Sequence, residues 1–363
     1  MLILTYIVFG FTIVQFLVVL TNLIFLQIFP AADKKFQPLI SILIPARNEE
    51  ENIANIIQDI LNQDYQQFEL MVFNDQSTDK TADIVSSFAK NDKRIHLFHS
   101  EGLPNGWLGK NFGCHSLAQK AQGNYLFFID ADVRLKGSII IDTLAMTKKY
   151  DLGLLTIFPK QKMMSLGEYL TIPNMNFILL SLLPLILVRK SKYPSLAAAN
   201  GQFMLFNTAT YRQNLPHQTF KNNKVEDIET ARYFKTKNIK VACLAGDNNL
   251  CCRMYKGFKE AVNGFSKNVI MFFGNSFVLA TIFWLVTTFG FVLVWFTLPI
   301  RLFGFYLALL VLTRVFISIV SRQNIILNLL LSLPQQLTMG LFILKAAINK
   351  QKKTFQWKGR TIS

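Results

Sequence analysis

Tyr125-Leu126-Phe127-Phe128-Ile129-Asp130-Ala131-Asp132 decides how this chain is read. Five hydrophobic residues form a short continuous run, as in a strand buried on both faces. Two carboxylates follow, one residue apart. Alternate residues of an extended chain point to the same side, so both acids can face one ion where the strand stops. Oxygen ligands on a short turn suit Mg2+ or Mn2+, and such a metal can clamp a diphosphate. An Asp-x-Asp standing alone is more often a solvated turn, because Asp favours turns. Its neighbours change that balance.

Upstream the same grammar repeats. The apolar run at 39–44 leads into Pro45-Ala46-Arg47-Asn48-Glu49-Glu50, and Ile53, Ile56, Ile57, Ile60 and Leu61 then recur at helical spacing. A second run, 68–73, ends in Asn74-Asp75-Gln76-Ser77-Thr78-Asp79, after which Ile84, Val85 and Phe88 share a helix face. Residues 95–98 read as a third strand and 125–129 as a fourth. Alternating strand, loop and helix predicts an α/β fold with a parallel sheet covered on both faces. Ligands of such sheets bind beyond the carboxyl ends of the strands. Arg47, Glu49, Asp75, Asp79, Asp130 and Asp132 all follow strands, so they are expected on one edge.

Outside this region the composition changes. The 363 residues are 51% hydrophobic, yet the formal net charge is +16. Residues 2–29 carry no charged side chain and exceed the roughly 20 needed to cross a bilayer. A basic start and a small-residue cleavage site are both missing, so the segment reads as an uncleaved anchor. Lys34 and Lys35 follow it, which puts the next region in the cytoplasm. Stretches 269–298 and 302–320 read as further spans, with Arg314 placed to snorkel to the interface. Stretch 325–344 contains Pro334-Gln335-Gln336 and reads as a re-entrant or interfacial segment. Stretch 177–188, broken by Pro184, is too short to span and reads either as interfacial or as a buried core helix.

No acidic residue follows Glu260, while basic ones continue through Lys350, Lys352, Lys353 and Lys358 to Arg360. Such a tail favours an anionic membrane surface. Nucleic acid is not expected as a partner, since the charges border apolar spans and no nucleic-acid motif occurs. Cys114, Cys243, Cys251 and Cys252 have no metal spacing and read as reduced thiols.

Together, Pro45-Ala46-Arg47-Asn48-Glu49, Asn74 to Asp79, Asp130-Ala131-Asp132 and Glu226-Asp227 resemble family 2 glycosyltransferases, with their GT-A, Rossmann-like fold. Gly106-Trp107-Leu108-Gly109-Lys110, Arg253-Met254-Tyr255 and Trp357-Lys358-Gly359-Arg360 look like a membrane-bound subgroup. That subgroup includes carotenoid-acid glycosyltransferases of the diaponeurosporenoate type and hopanoid-associated glycosyltransferases. The organisation this implies is an N-terminal transmembrane anchor (1–30), a cytoplasmic nucleotide-sugar-binding domain (37–268), C-terminal membrane helices (269–345) and a basic cytoplasmic tail (346–363). The location implied is the plasma membrane, with several passes.

The resemblance implies roles that the residue chemistry supports. Pro45, Arg47, Glu49, Asp75, Lys110 and Asp130 would line the nucleotide-sugar pocket, with Asp75 accepting hydrogen bonds from uracil or ribose. Capping of a helix near Ser77 is the plain alternative for Asp75, and Asp79 reads as a local cap. Asp132, with Asp130, would hold the metal. Asp227 matches the base of the family's Glu-Asp motif and Glu226 would orient it, although acids at a helix start also favour the dipole. Gln202, Arg253 and Tyr255 would contact acceptor or diphosphate. For Arg253 and Tyr255, anchoring at a membrane interface is the alternative.

The implied reaction is inverting, metal-dependent transfer of one sugar, with a UDP-sugar the expected donor, to a membrane lipid such as a carotenoid or other hydroxylated lipid. A hydroxyl acceptor needs a base, whereas the carboxylate of a carotenoid acid is already ionised. Leu250 and Met254 stand where processive synthases carry the Gln and Trp of Q-x-x-R-W, which argues against polymer synthesis. A polyprenyl-phosphate sugar transferase remains an alternative, as does a non-catalytic protein that binds nucleotide sugar or anionic lipid.

Overall fold

The computed structural model describes residues 1–31, 35–352, 355–357 and 360–362. Lys34, Lys353, Lys358 and Gly359 lie outside the described residues. In chain order the first elements are α1 (Leu2–Ile24), β1 (Ile40–Ala46), α2 (Ile53–Leu61), β2 (Phe68–Asn74), α3 (Thr81–Asn91), β3 (Ile95–His99), α4 (Gly109–Lys120) and β4 (Tyr125–Ile129). Next come β5 (Val133–Leu135), α5 (Ile139–Tyr150), β6 (Leu154–Phe158), β7 (Lys160–Gln161), α6 (Leu166–Thr171), α7 (Pro173–Leu182) and α8 (Leu185–Lys190). β8 (Phe203–Asn207), α9 (Thr208–Asn214), α10 (Pro216–Thr219), α11 (Glu226–Thr236), β9 (Val241–Ala245) and β10 (Leu250–Cys252) follow. The last are α12 (Phe258–Asn268), α13 (Phe277–Thr297), α14 (Ile300–Val320), α15 (Ile325–Leu330), α16 (Ser332–Lys352) and an antiparallel pair, β11 (Phe355–Trp357) with β12 (Arg360–Ile362).

The chain forms two compact units. A sheet unit comprises Gln27–Lys160 and Leu185–Cys252, and a helical unit comprises Met1–Leu26, Gln161–Pro184 and Arg253–Ser363. Two segments inside the 37–268 stretch, Gln161–Pro184 and residues 253–268, thus pack with the apolar helices.

The sheet unit is built on seven strands in the order β3-β2-β1-β4-β8-β6-β9. β1 pairs in parallel with β2 (Ile40 opposite Phe68) and with β4 (Ile40 opposite Tyr125). Ile40, Ile42, Leu43 and Ile44 are fully buried, which is what a continuous apolar run becomes when helices cover both faces. α2 buries Ile53, Ile56, Ile57 and Ile60. Gly123 comes so close to β1 that its N–H donates to Ser41 Oγ at 2.8 Å, and a Cβ there would lie 2.5 Å from the Ser41 nitrogen.

One expectation is corrected here. The sheet is mixed, because β8 runs antiparallel to both β4 and β6. Phe203 to Asn207 is as apolar as its neighbours, and such a pattern carries no direction. The consequence is functional: Phe203 lies opposite Ile129, so the entry to β8 stands beside the Asp130 turn.

In the helical unit α1 packs on α7, α13 and α14. Gln15 donates to Ser181 Oγ at 3.1 Å, and Asn22 to the Leu180 and Leu183 carbonyls at 2.9 and 3.0 Å. α7 is therefore a packed helix of this unit, as in the buried-helix reading, and Pro184 separates it from α8. Three helices, α1, α13 and α14, are long and apolar enough to cross a membrane. The stretch at 269–298 is only partly one helix. A 3-10 turn at Val269–Phe273 ends at Gly274 (φ +62°), and Ser276 then caps α13 through the Leu279 N–H. The stretch at 325–344 is divided between α15 and α16, with Pro334 in the first turn of α16, where its missing N–H costs nothing.

Candidate active site

The centre of the site is an ammonium. Lys110 lies in the first turn of α4, with its Nζ 2.6 Å from Asp130 Oδ1 and 2.7 Å from Oδ2. It also donates to the Gly201 carbonyl at 3.1 Å. Gly201 closes the circuit, since its N–H donates to Asp227 Oδ2 at 2.8 Å. The other Asp227 oxygen accepts the Ile228 N–H at 2.8 Å, at the start of α11, where free N–H groups and the helix dipole favour a carboxylate. A Cβ on Gly201 would lie 3.3 Å from Lys110 Nζ and 3.5 Å from both Asp227 Oδ2 and Glu226 Oε1. Residues about 100 apart in sequence thus meet over one glycine.

Burial acts on every member. Alone it would lower the Lys110 ammonium, but the Asp130 carboxylate overrides it and holds the group firmly charged. Burial, then the Asp227 charge, pushes the Glu226 carboxyl up to about 8. Asp227 is also raised by burial, against the pull of its two N–H partners. Burial thus favours the protonated form of Glu226, while Asp227 is the better hydrogen-bonded carboxylate.

Asp132 stands beside this group. Gln202 Nε2 lies 3.4 and 3.5 Å from its two oxygens and 3.0 Å from Cys252 Sγ, and the Asp130 N–H donates to the Gln202 carbonyl at 3.2 Å. Burial and the neighbouring Asp130 raise the Asp132 carboxyl to about 6, with Glu49 adding to the effect and a hydrogen bond from Cys252 opposing it. Gln202 Oε1 is buried without a partner. Two carboxylates on one turn, crowded by like charge, with an unpaired amide oxygen close by, are a donor set that fits a hard divalent cation. Among the described residues no cluster of three or more His, Cys, Asp or Glu is arranged to hold a metal. Oxygens from a bound diphosphate would have to complete the shell.

The loops after β1 and β2 are tied together. Arg47 donates to the Asp75 and Gln76 carbonyls at 2.6 and 3.4 Å, and the Asp75 N–H donates to the Ala46 carbonyl at 2.8 Å. The Glu49 N–H donates to Thr81 Oγ1 at 2.8 Å, and its carboxylate accepts from Asn52 at 2.9 Å. Asp75 is buried, whereas the Ser77 N–H is accepted by Asn74 Oδ1 at 3.1 Å. Asp79 accepts the Thr81 and Glu50 N–H groups at 3.0 Å each, as a local cap does. Pro45 lies inside β1 opposite Phe73.

Arg253 and Tyr255 belong to the helical unit. Arg253 donates to Glu168 at 2.8 Å, and Tyr255 packs edge-on against Phe265 with 5.0 Å between centroids. Glu168 is fully buried and also accepts the Met164 and Gly257 N–H groups at 2.7 and 3.0 Å. Burial alone would raise its carboxyl, but the guanidinium and the N–H donors bring it down to about 2. Sequence reading missed this residue, although Ser165 three positions earlier caps the helix by accepting the Glu168 N–H and donates its hydroxyl to the carboxylate. Cys252 was missed as well, and no spacing marks it.

Comparison with known proteins gives the family. The family model described as "Glycosyl transferase family 2" matches residues 41–256. A 4,4'-diaponeurosporenoate glycosyltransferase of Staphylococcus haemolyticus is 26% identical over 233 residues, 63% of this chain and 60% of that protein. The Staphylococcus aureus protein of the same name is 24% identical over 249 residues, with the same coverage. The match thus spans about 60% of the length of these curated relatives. An uncharacterized glycosyltransferase of Haemophilus influenzae is 39% identical over 95 residues, 26% of this chain and 36% of that one. Among solved structures, a Pyrobaculum calidifontis mannosyltransferase in complex with GDP-Man and Mn2+ covers 96% of this chain and 98% of its own, at a TM-score of 0.58 and 14% identity. That likeness is one of fold, GT-A-like and mixed α/β. With its strand-end acids gathered on one edge and the family model matching well over half its length, the chain belongs to glycosyl transferase family 2.

Proposed function

We propose that the protein transfers a single sugar from a nucleotide-sugar donor to a membrane lipid, with inversion at the anomeric carbon. The observation that carries this is the circuit from Asp130 through Lys110 and Gly201 to Asp227, which puts a fixed positive charge next to a carboxylate base. A UDP-sugar is the donor favoured here, and the fold neighbour's GDP-Man makes a GDP-sugar the second to test. Arg47, Glu49 and Asp75 would face the nucleoside. Lys110 would offset diphosphate charge, as an ammonium in a half-buried site does. Asp132 and Asp130 would hold Mg2+ or Mn2+, which when bound stabilises a leaving nucleoside diphosphate. Asp227 would take the proton of an acceptor hydroxyl as its oxygen attacks, and protonated Glu226 would leave Asp227 as the ionised partner.

The acceptor is a lipid in this reading, because three helices can cross a bilayer and the diaponeurosporenoate-type relatives are named for a carotenoid acid. The sheet unit would face the cytoplasm at the plasma membrane. Two acceptor classes make different demands. A hydroxylated lipid needs Asp227 as base, whereas a carotenoid carboxylate does not, and the prepared Asp227 favours the hydroxyl. The test is release of nucleoside diphosphate by the purified full-length protein with UDP-sugars, lipid extract and Mn2+, followed by identification of the glycolipid. A new glycolipid is the result expected. Binding of the donor without release, for any sugar and any extract, would mean a nucleotide-sugar-binding protein instead.

A further inference from the structure

The helical unit contains a cation that its own sequence cannot neutralise. Arg314 lies within α14, six residues from the end of that helix, or roughly 9 Å along its axis. It was expected to snorkel outward. Instead its guanidinium lies over the Phe177 ring at 4.1 Å and donates to Gln335 Oε1 at 3.1 Å. Among the described residues no acidic side chain pairs with it. The unit has only two acids to offer, Glu168 and Glu260. Glu168 is engaged by Arg253, and Glu260 accepts the Lys256 N–H at 2.7 Å. A guanidinium in an apolar helix bundle is costly without a counter-charge, and intramembrane arginines usually mark ligand or ion sites.

The polar groups joined to Arg314 through Gln335 have their side-chain oxygens engaged. Gln335 gives its one acceptor to Arg314, and its amide donates to the Tyr169 carbonyl and to Asn328 Oδ1 at 2.9 and 3.1 Å. Asn328 in turn donates to Ser318 Oγ and Gln323 Oε1, both at 3.0 Å. Gln323 Nε2 is left buried with no acceptor among the described residues. A guanidinium presents five donors, of which the described residues engage one. One positive charge with surplus donors is complementary to an oxyanion, and Arg binds carboxylate and phosphate in a two-pronged manner.

We propose that Arg314 is a binding site for the anionic headgroup, phosphate or carboxylate, of a membrane lipid. The lipid source follows from position. α14 is apolar enough to cross a membrane, and Val311, one turn from the arginine on the same side of the helix, is exposed, so an acyl chain could lie against that side while its head reaches the guanidinium. This inference rests on the membrane placement proposed above, but not on sugar transfer.

The test uses the full-length protein. Flotation with phosphatidylcholine vesicles checks the membrane placement first, and failure to float would overturn both that placement and this site. Lipid retention is then measured by native mass spectrometry from a mixture of phosphatidylglycerol and phosphatidylcholine. At least fivefold preference for phosphatidylglycerol is expected, lost in Arg314→Gln and kept in Arg301→Gln, which removes another charge of the same helix. Preference unchanged in Arg314→Gln, or absent from the natural protein, overturns the proposal. Displacement of phosphatidylglycerol by an equal concentration of inorganic phosphate would also overturn it, in favour of a free anion. Photoreactive phosphatidylglycerol on the natural protein covers the case in which Arg314→Gln does not fold. Label on α14 or α16 near Arg314 supports the site, and label only elsewhere contradicts it.

Discussion

Glu226 and Asp227 are adjacent in sequence, yet their surroundings differ. Asp227 accepts two N–H groups, while burial and the Asp227 charge drive Glu226 up to about 8. Gln is a close copy of a protonated Glu, so Glu226→Gln is expected to keep transfer within a few fold. Asp227→Asn is expected to lower kcat by about 10^2 to 10^4 if the acceptor is a hydroxyl, the usual contribution of a general base. Equal losses in the two variants would contradict the assignment, and an active Asp227→Asn would mean an acceptor already ionised. The sign of the pH dependence follows from the raised Asp227 carboxyl. Its base form is lost as pH falls, so kcat/KM should decline on an acidic limb lying above the ordinary carboxylate range.

Glu168 behaves in the opposite sense. Its carboxyl is held down to about 2 from an ordinary 4.5. The stability it contributes is therefore complete above pH 4.5 and is lost as pH falls toward 2. Glu168→Ala leaves Arg253 and several N–H donors without their acceptor, and should cost about 3 kcal/mol in a thermal or denaturant melt in detergent. Its acid-induced destabilisation should be weaker than that of the natural protein, and an unchanged pH profile would rule out this role.

At the scale of elements, the motifs work because each closes a strand. β1, β2 and β4 run side by side in parallel, so the loops carrying Arg47, Asp75 and Asp130 are brought to one edge by register alone. This much was legible in sequence, since a buried strand followed by a polar turn is a local pattern. The antiparallel β8 was not, because an apolar run does not encode direction, and it is β8 that delivers Gly201 and Gln202 to the same edge. Gly123 shows how tight the assembly is. Gly123→Ala would force a Cβ to within 2.5 Å of the Ser41 nitrogen, and about 1–3 kcal/mol of destabilisation is expected from such overpacking. A melt indistinguishable from the natural protein would show that the loop can move aside.

At the scale of the molecule, the two units follow the chemistry of their surfaces. The sheet unit buries its apolar strands, whereas α1, α13 and α14 leave large apolar side chains such as Ile7, Val278 and Phe305 exposed, as a lipid-facing helix would. The apolar spans were visible from length and hydropathy. That Gln161–Pro184 and the residues from Arg253 onward join the helices was not, because that grouping depends on contacts between distant segments. Arg253 illustrates the limit: its motif pointed to a ligand, and the structure gives it a buried glutamate 85 residues away. The acids were easier to identify, since Asp130, Asp132, Glu226 and Asp227 all stand in short recognisable strings, but the Lys110 ammonium that draws Asp130 and the Glu226-Asp227 pair together is a tertiary fact.

The most direct test of this convergence is nucleoside diphosphate release from a nucleotide sugar by the full-length protein in lipid, with Mn2+ or with a chelator, compared between the natural protein and Asp132→Ala. Release that needs the cation and falls at least a hundredfold in the variant is the expected result. Equal release with and without metal, or by both proteins, would contradict the site.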